Sequence, residues 1–183
     1  KKLIVVMVVL GALENKMSIK KDYTIFIRNF TFGVEDSLVS TVGLLAGIAV
    51  AGLDQKSIII TGLVLIFVEA FSMAVGSLIS ERSVETYETG ENTSYSKPFK
   101  GGVIMLLSYI AAGFIPLSPY FYSTNTNAVI ASVILTLVAL FLLGAVSAKM
   151  FRSKVWRDGL FTFLMGGIAI LVGIVVGQIA ERF

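Results

Sequence analysis

The chain has no cysteine and no histidine. The first absence excludes disulfides, thiolate nucleophiles and cysteine zinc sites. The second removes imidazole as metal ligand, general base or proton shuttle. Charge is scarce as well: 15% of the 183 residues are Asp, Glu, Lys or Arg, against ~25% in an ordinary soluble domain. Hydrophobic residues make up 56% and the mean hydropathy is +0.87. A water-soluble globule, a disordered tail and a disulfide scaffold are thereby excluded. Any chemistry must use carboxylates, hydroxyls, thioethers and backbone.

A membrane helix needs ~20 mostly apolar residues. Five stretches qualify, at about 30–52, 57–79, 101–122, 127–148 and 159–180. They are continuous rather than alternating, which argues for helices and against barrel strands. The predicted fold is an all-α integral membrane domain over residues 30–183, preceded by a lead-in over 1–29.

Lys and Arg set the orientation. Thirteen of the 15 fall before the first helix or in the second-to-third and fourth-to-fifth connections. Only Lys56 and Arg182 lie on the other side. The N-terminus is therefore expected in the cytoplasm and the C-terminus outside or in a lumen. The net charge of +3 needs no nucleic acid to explain it.

Lys1-Lys2 and the apolar run Leu3–Leu13 are too short to span. A signal peptide fits the pattern, but it conflicts with the charge count. An interfacial or unstructured extension is expected instead, with Met17 a candidate for the natural start. Asn92-Thr93-Ser94 matches a glycosylation sequon, but on the side predicted to be cytoplasmic.

Ionisable residues inside a membrane are costly and mark function by default. Three fall within the predicted spans: Glu35, Asp36 and Glu69. At 1.5 Å per residue, Asp36 lies ~9 Å past Phe30. Met73 lies at a similar depth before Ile79, and Glu69 one turn deeper. Asp36, Ser40, Gly43 and Gly47 form one helical stripe, and Glu69, Met73, Gly76 and Ser80 another. Both stripes are small or polar, so both are expected to face inward. Two carboxylates and a thioether can then converge, while Glu35 points ~100° away from Asp36.

The bland alternatives are protonated carboxylates bonded to neighbouring helices, interfacial carboxylates beside Arg28, and Met73 as packing. An oxygen site with one thioether suits Fe(II) or Mn(II) better than Zn(II) or Cu(I). The same carboxylates can carry protons back. No prosthetic group is implied, and no nucleophile–base pair points to an enzyme.

Gly43-x-x-x-Gly47 and Gly173-x-x-x-Gly177 permit close helix contact or dimerisation. Pro116 and Pro119 are expected to break or kink the third helix. The freed carbonyls there either line an exit or simply end the helix. Glu81, Glu85 and Glu88 share a face if the second helix continues. They are either cation-attracting or a solvated helix end.

The run Phe32-Gly33-Val34-Glu35-Asp36-Ser37-Leu38-Val39-Ser40-Thr41, with Gly43 and Gly47, resembles the first-helix signature of the vacuolar iron transporter family. Ser72-Met73, Gly76, Ser80, Glu81, Glu85 and Tyr87 are similar to the end of its second helix. Phe114-Ile115-Pro116-Leu117, Pro119 and Tyr120 are similar to its third. The resemblance covers about Lys20 to Phe183.

It implies a homodimeric carrier of ferrous iron, often also manganese, out of the cytosol in exchange for protons, with the path near the subunit interface. Asp36 and Met73 then take the places of the family's metal-path carboxylate and methionine. Better-known members carry a carboxylate two turns before that methionine, where this chain has Leu65. Glu69 stands one turn before it instead. They also carry a long carboxylate-rich insert between the second and third helices, and this connection has about twenty residues. The alternatives are a carrier or channel for another cation on the same scaffold, and a non-transporting membrane scaffold. The expected location is the cell membrane of a prokaryote, or the vacuole or another endomembrane of a eukaryote.

Overall fold

The computed structural model describes residues 2–90, 94–123, 126–151 and 153–182, with side chains from Tyr23 onward. The sequon at Asn92 and Thr93 therefore lies outside the described residues, as do the side chains of residues 1–22.

Five helices follow in order: α1 (Lys2–Val50), α2 (Gln55–Thr89), α3 (Ser96–Leu117), α4 (Thr126–Met150) and α5 (Val155–Ala180). A 3-10 turn, Ser118–Phe121, continues α3. Among the described residues there is no strand. Each helix holds a stretch long and apolar enough to cross a membrane, that of α1 being Tyr23–Val50.

The first helix differs from expectation. The backbone is helical from Lys2 rather than from near Phe30, so of the two expectations for the lead-in, interfacial or unstructured, the unstructured one does not hold. The physical reason is the absence of a stop signal: residues 2–50 contain no proline, and a helix with nothing to break it propagates at low cost per residue. The second helix likewise runs ten residues past Ile79. It stops at Gly90, whose φ of 70° is left-handed and whose N–H donates to the Thr86 carbonyl. Asp54 caps the start of α2, accepting from the N–H groups of Lys56 and Ser57 and from the Ser57 hydroxyl at 2.5 Å. Those bonds, the Ser57 hydroxyl first, hold the Asp54 carboxyl below its ordinary range.

Pro98 sits in the first turn of α3, where its missing N–H costs nothing. Pro116 lies inside the helix, which ends one residue later. Pro119 cannot donate to the Ile115 carbonyl, and the Ser118 hydroxyl does so instead at 2.8 Å. The Ser132 hydroxyl of α4 donates to the Pro116 carbonyl at 2.7 Å. These two carbonyls are thus met by hydroxyls and close the helix end.

Helices α1 and α3 form the centre. Half of each one's apolar window is buried, against 17–28% for α2, α4 and α5. Around them, α5 packs on α1 and α4, and α2 packs on α3. The two glycine motifs meet each other: a Cβ on Gly47 would lie 2.6 Å from the Gly173 carbonyl, and one on Gly177 would lie 2.1 Å from that of Gly47. Of the two uses expected for them, the structure shows close contact of α1 with α5 within one chain.

Gly177→Ala should therefore force the two helices apart and cost about 1–3 kcal/mol, read as a lower unfolding midpoint in micelles. Gly76→Ala is the control. A Cβ there meets nothing within 4 Å, so that variant should keep or slightly raise the midpoint. Equal losses in both would overturn the assignment of the crossing.

Candidate functional site

The turn between α1 and α2 sets the register of the candidate residues. Asp36 precedes Val50 by fourteen residues and Glu69 follows Gln55 by fourteen, so each lies ~21 Å along its helix from that turn. The two carboxylates are therefore level. By the same count Met73 is level with Phe32. The depths expected from the apolar boundaries had paired Met73 with Asp36. Counting from the turn corrects this by one helical turn, because α1 stops at Val50, two residues short of its apolar run, and α2 starts at Gln55, two residues before its own.

Asp36 and Glu69 are both half-buried and lie within each other's electrostatic field. A third helix contributes Tyr109, fully buried, whose hydroxyl feels both carboxylates. The Ser40 and Tyr109 hydroxyls share a hydrogen bond of 2.7 Å. Ser40 Oγ also approaches its own helix at the Asp36 carbonyl, 2.7 Å away. One turn earlier, the Ser37 hydroxyl donates to the Tyr109 carbonyl at 2.6 Å. Two serines that follow Asp36, Ser37 and Ser40, thus lock α3 against α1. Sequence reasoning missed Tyr109. The available signal was a phenol in the middle of an apolar span, where its O–H needs a partner.

Met73, Gly76 and Ser80 line one groove, together with Arg28, Asn29, Phe32 and Ser77. Their stripe does not face inward as expected: Gly76 and Ser80 are exposed, because Ile58 and Ile66 turn the neighbouring face of α2 into the core. The groove has a volume of about 410 Å³ and holds a second thioether, Met105 of α3, also missed. Neither Asp36 nor Glu69 is among its lining residues, so the expected convergence of both carboxylates with the Met73 thioether in one cavity is not seen within the single chain. Gly76 makes no close helix contact in the single chain and instead leaves the groove open. Glu35 is half-buried and close to the charge of Asp36. Among the described residues, no group of three or more Asp, Glu, His or Cys is placed to hold a metal ion. One chain thus brings Asp36 and Glu69 to one level beside the Ser40 and Tyr109 hydroxyls, while the two thioethers line a separate groove.

The three glutamates past the α2 span, expected on one face, are not equivalent. Glu81 is only 7% exposed and is ion-paired with Arg28. The Asn29 side-chain amide donates to it at 3.4 Å, and the Ser77 hydroxyl donates to Asn29 at 2.5 Å. Glu81 is therefore occupied by an internal cation. Glu85 is half-buried and Glu88 exposed. Arg28, a candidate neighbour of Glu35 and Asp36, makes its ion pair with Glu81 instead.

Two overlapping stretches of the chain, residues 27–95 and 84–178, match the VIT family. The chain belongs to this family. Vacuolar iron transporter homolog 2 of Arabidopsis thaliana is 25% identical over 177 residues, covering 87% of this chain and 90% of that protein. Vacuolar iron transporter homolog 3 of the same plant is 29% identical over 80% of this chain and 79% of its own length. Vacuolar iron transporter 1 of Arabidopsis thaliana is 30% identical, over 52% of this chain and 39% of that protein. These relatives are named as transporters, not as enzymes. The two homologs align with most of this VIT-family chain, whereas the likeness to vacuolar iron transporter 1 is confined to about half of it.

Proposed function

We propose that this VIT-family protein carries Fe(II), with Mn(II) as a second cargo, out of the cytosol in exchange for protons. The observation that supports this best is the level pairing of Asp36 and Glu69 across α1 and α2, beside Tyr109. Two carboxylates at one level inside a membrane, near enough for one charge to reach the other, repel unless a cation or protons compensate them. A divalent ion and a pair of protons are the natural alternating occupants. Glu69 takes over the role of the carboxylate that Leu65 does not supply.

In this reading Asp36, Glu69 and Met73 bind the metal, and Glu35 adds negative potential. Glu85 and Glu88 attract cations at the mouth, with Glu81 held back by Arg28. A lone pair of carboxylates is a thin ligand set for Fe(II) or Mn(II), which prefer about six donors. A second copy of the chain completes it, so the working unit is a homodimer. The N-terminus is cytoplasmic, by the distribution of Lys and Arg.

The test is flux into proteoliposomes with an acid lumen. Fe(II) uptake should be competed by Mn(II) more strongly than by Zn(II) or Ca(II), and should collapse when the proton gradient is dissipated. Uptake indifferent to the gradient would sink the exchange mechanism. Preferential competition by Ca(II) or Zn(II) would favour another cargo on the same scaffold.

A further inference from the structure

The outer seam between α2 and α3 faces away from the carboxylates. Phe71, Val75 and Leu78 run down α2 at helical spacing, and Phe99, Val103 and Leu106 do the same on α3. The helices are close here, since a Cβ on Gly102 would lie 2.9 Å from the Ala74 carbonyl. The seam that results is a purely apolar groove of about 200 Å³. Phe71 and Phe99 are both well exposed along it.

At Leu78 this groove continues into a larger one, of about 600 Å³, lined by Arg82, Ser83, Thr86 and Tyr95. The character changes there from hydrocarbon to polar. Arg82 stacks its guanidinium on the Tyr95 ring, 4.1 Å from the centroid. That stack fixes the plane of the guanidinium. Its Nε is buried and has no hydrogen-bond partner. A buried guanidinium N–H without an acceptor is costly, and a planar fork is suited to phosphate. Among the described residues lining this end, none is acidic. Glu81 and Glu85 line a different cleft.

From Phe71 to Arg82 the seam measures ~16 Å along α2, close to the ~15 Å hydrocarbon depth of one leaflet. An apolar seam of that length ending at an unsatisfied cation stacked on a tyrosine has the dimensions and polarity of a single phospholipid. We propose that this seam binds one anionic phospholipid, with an acyl chain along Phe71, Leu78 and Val103 and its phosphate on Arg82.

The experiment uses purified full-length protein in micelles doped with phosphatidylglycerol or with phosphatidylcholine of the same acyl chains. Phosphatidylglycerol should bind about fivefold more tightly, as one basic group near a lipid surface provides, and should raise the unfolding temperature more. Arg82→Gln should erase the difference between the two lipids. Val103→Trp, which fills the apolar seam at an exposed position, should weaken retention of both. It serves also if Arg82→Gln fails to fold. Equal effects of the two lipids on the unaltered protein would overturn the proposal, as would a preference that survives in Arg82→Gln. Stabilisation of equal size by inorganic phosphate alone would overturn the lipid assignment in favour of a free-phosphate site.

Discussion

Asp36→Asn should reduce metal uptake at least ~100-fold while leaving a folded protein. Asparagine keeps the size of the side chain and loses only the charge. Asp36 sits level with Glu69, and no third carboxylate in the described chain is placed to complete a metal-binding group with them. Removing one of two charges from a divalent ion that has shed its water therefore removes half of its compensation. Loss of groups that merely orient metal ligands already costs ~10–100-fold, so loss of a ligand should cost more. Glu69→Gln should do the same, because the two are geometrically equivalent about the turn.

The helix lock gives the control. Ser40→Ala removes the bond to the Tyr109 hydroxyl and should weaken transport by a smaller factor, leaving both charges in place. The measurement is initial Fe(II) uptake into acid-loaded proteoliposomes, with folding checked by gel filtration and unfolding temperature. Uptake that persists in both carboxylate variants would exclude the paired site. Wild-type protein that binds no Fe(II) or Mn(II) at all would favour a scaffold whose carboxylates only join helices.

Much of this was written in the residues. Five apolar runs give five spanning helices because a backbone without water must bond to itself. The Asp36–Ser40 stripe runs inward to the buried Gly43 and Gly47, as periodicity suggests. The Glu69–Met73 stripe leads instead to exposed Gly76 and Ser80, because α2 turns Ile66, Ala70, Ser77 and Glu81 to the core. The relative depth of the carboxylates was less legible. It depends on where the turn at residues 51–54 falls, not on where the apolar runs fade. Partner choice was less legible still. Gly47 has one sequence signature whether it meets Gly173 of its own chain or a second copy. Glu81 shares a helical face with Glu85 and Glu88, and only the packing of α2 against Asn29 and Arg28 shows that it is buried. Tyr109 reads as one more apolar residue until its neighbours Ser37 and Ser40 are seen.

The second large effect should come from Arg28→Ala. The two members of its ion pair are unequally placed: the Arg28 side chain is 56% exposed and that of Glu81 only 8%. Removing Arg28 strands a buried carboxylate with one long bond from Asn29 to compensate it. Breaking a buried pair from one side costs ~3–5 kcal/mol. Arg28 is half in solvent, so the low end is expected, about 3 kcal/mol. Removing the other partner should be milder. In Glu81→Gln the guanidinium turns to water, the Gln oxygen still accepts from Asn29, and the expected loss is about 1 kcal/mol. The double variant Arg28→Gln, Glu81→Gln leaves no stranded charge and should recover most of the Arg28→Ala loss. Unfolding midpoints of the four proteins in one detergent decide the matter. Equal costs for the two single variants would mean that the pair is solvated, and that Glu81 faces the aqueous phase with Glu85 and Glu88. If instead Arg28→Ala costs most and the double variant recovers, the α1–α2 contact rests on a buried charge. Glu81 then lies outside the set of carboxylates available to an incoming cation.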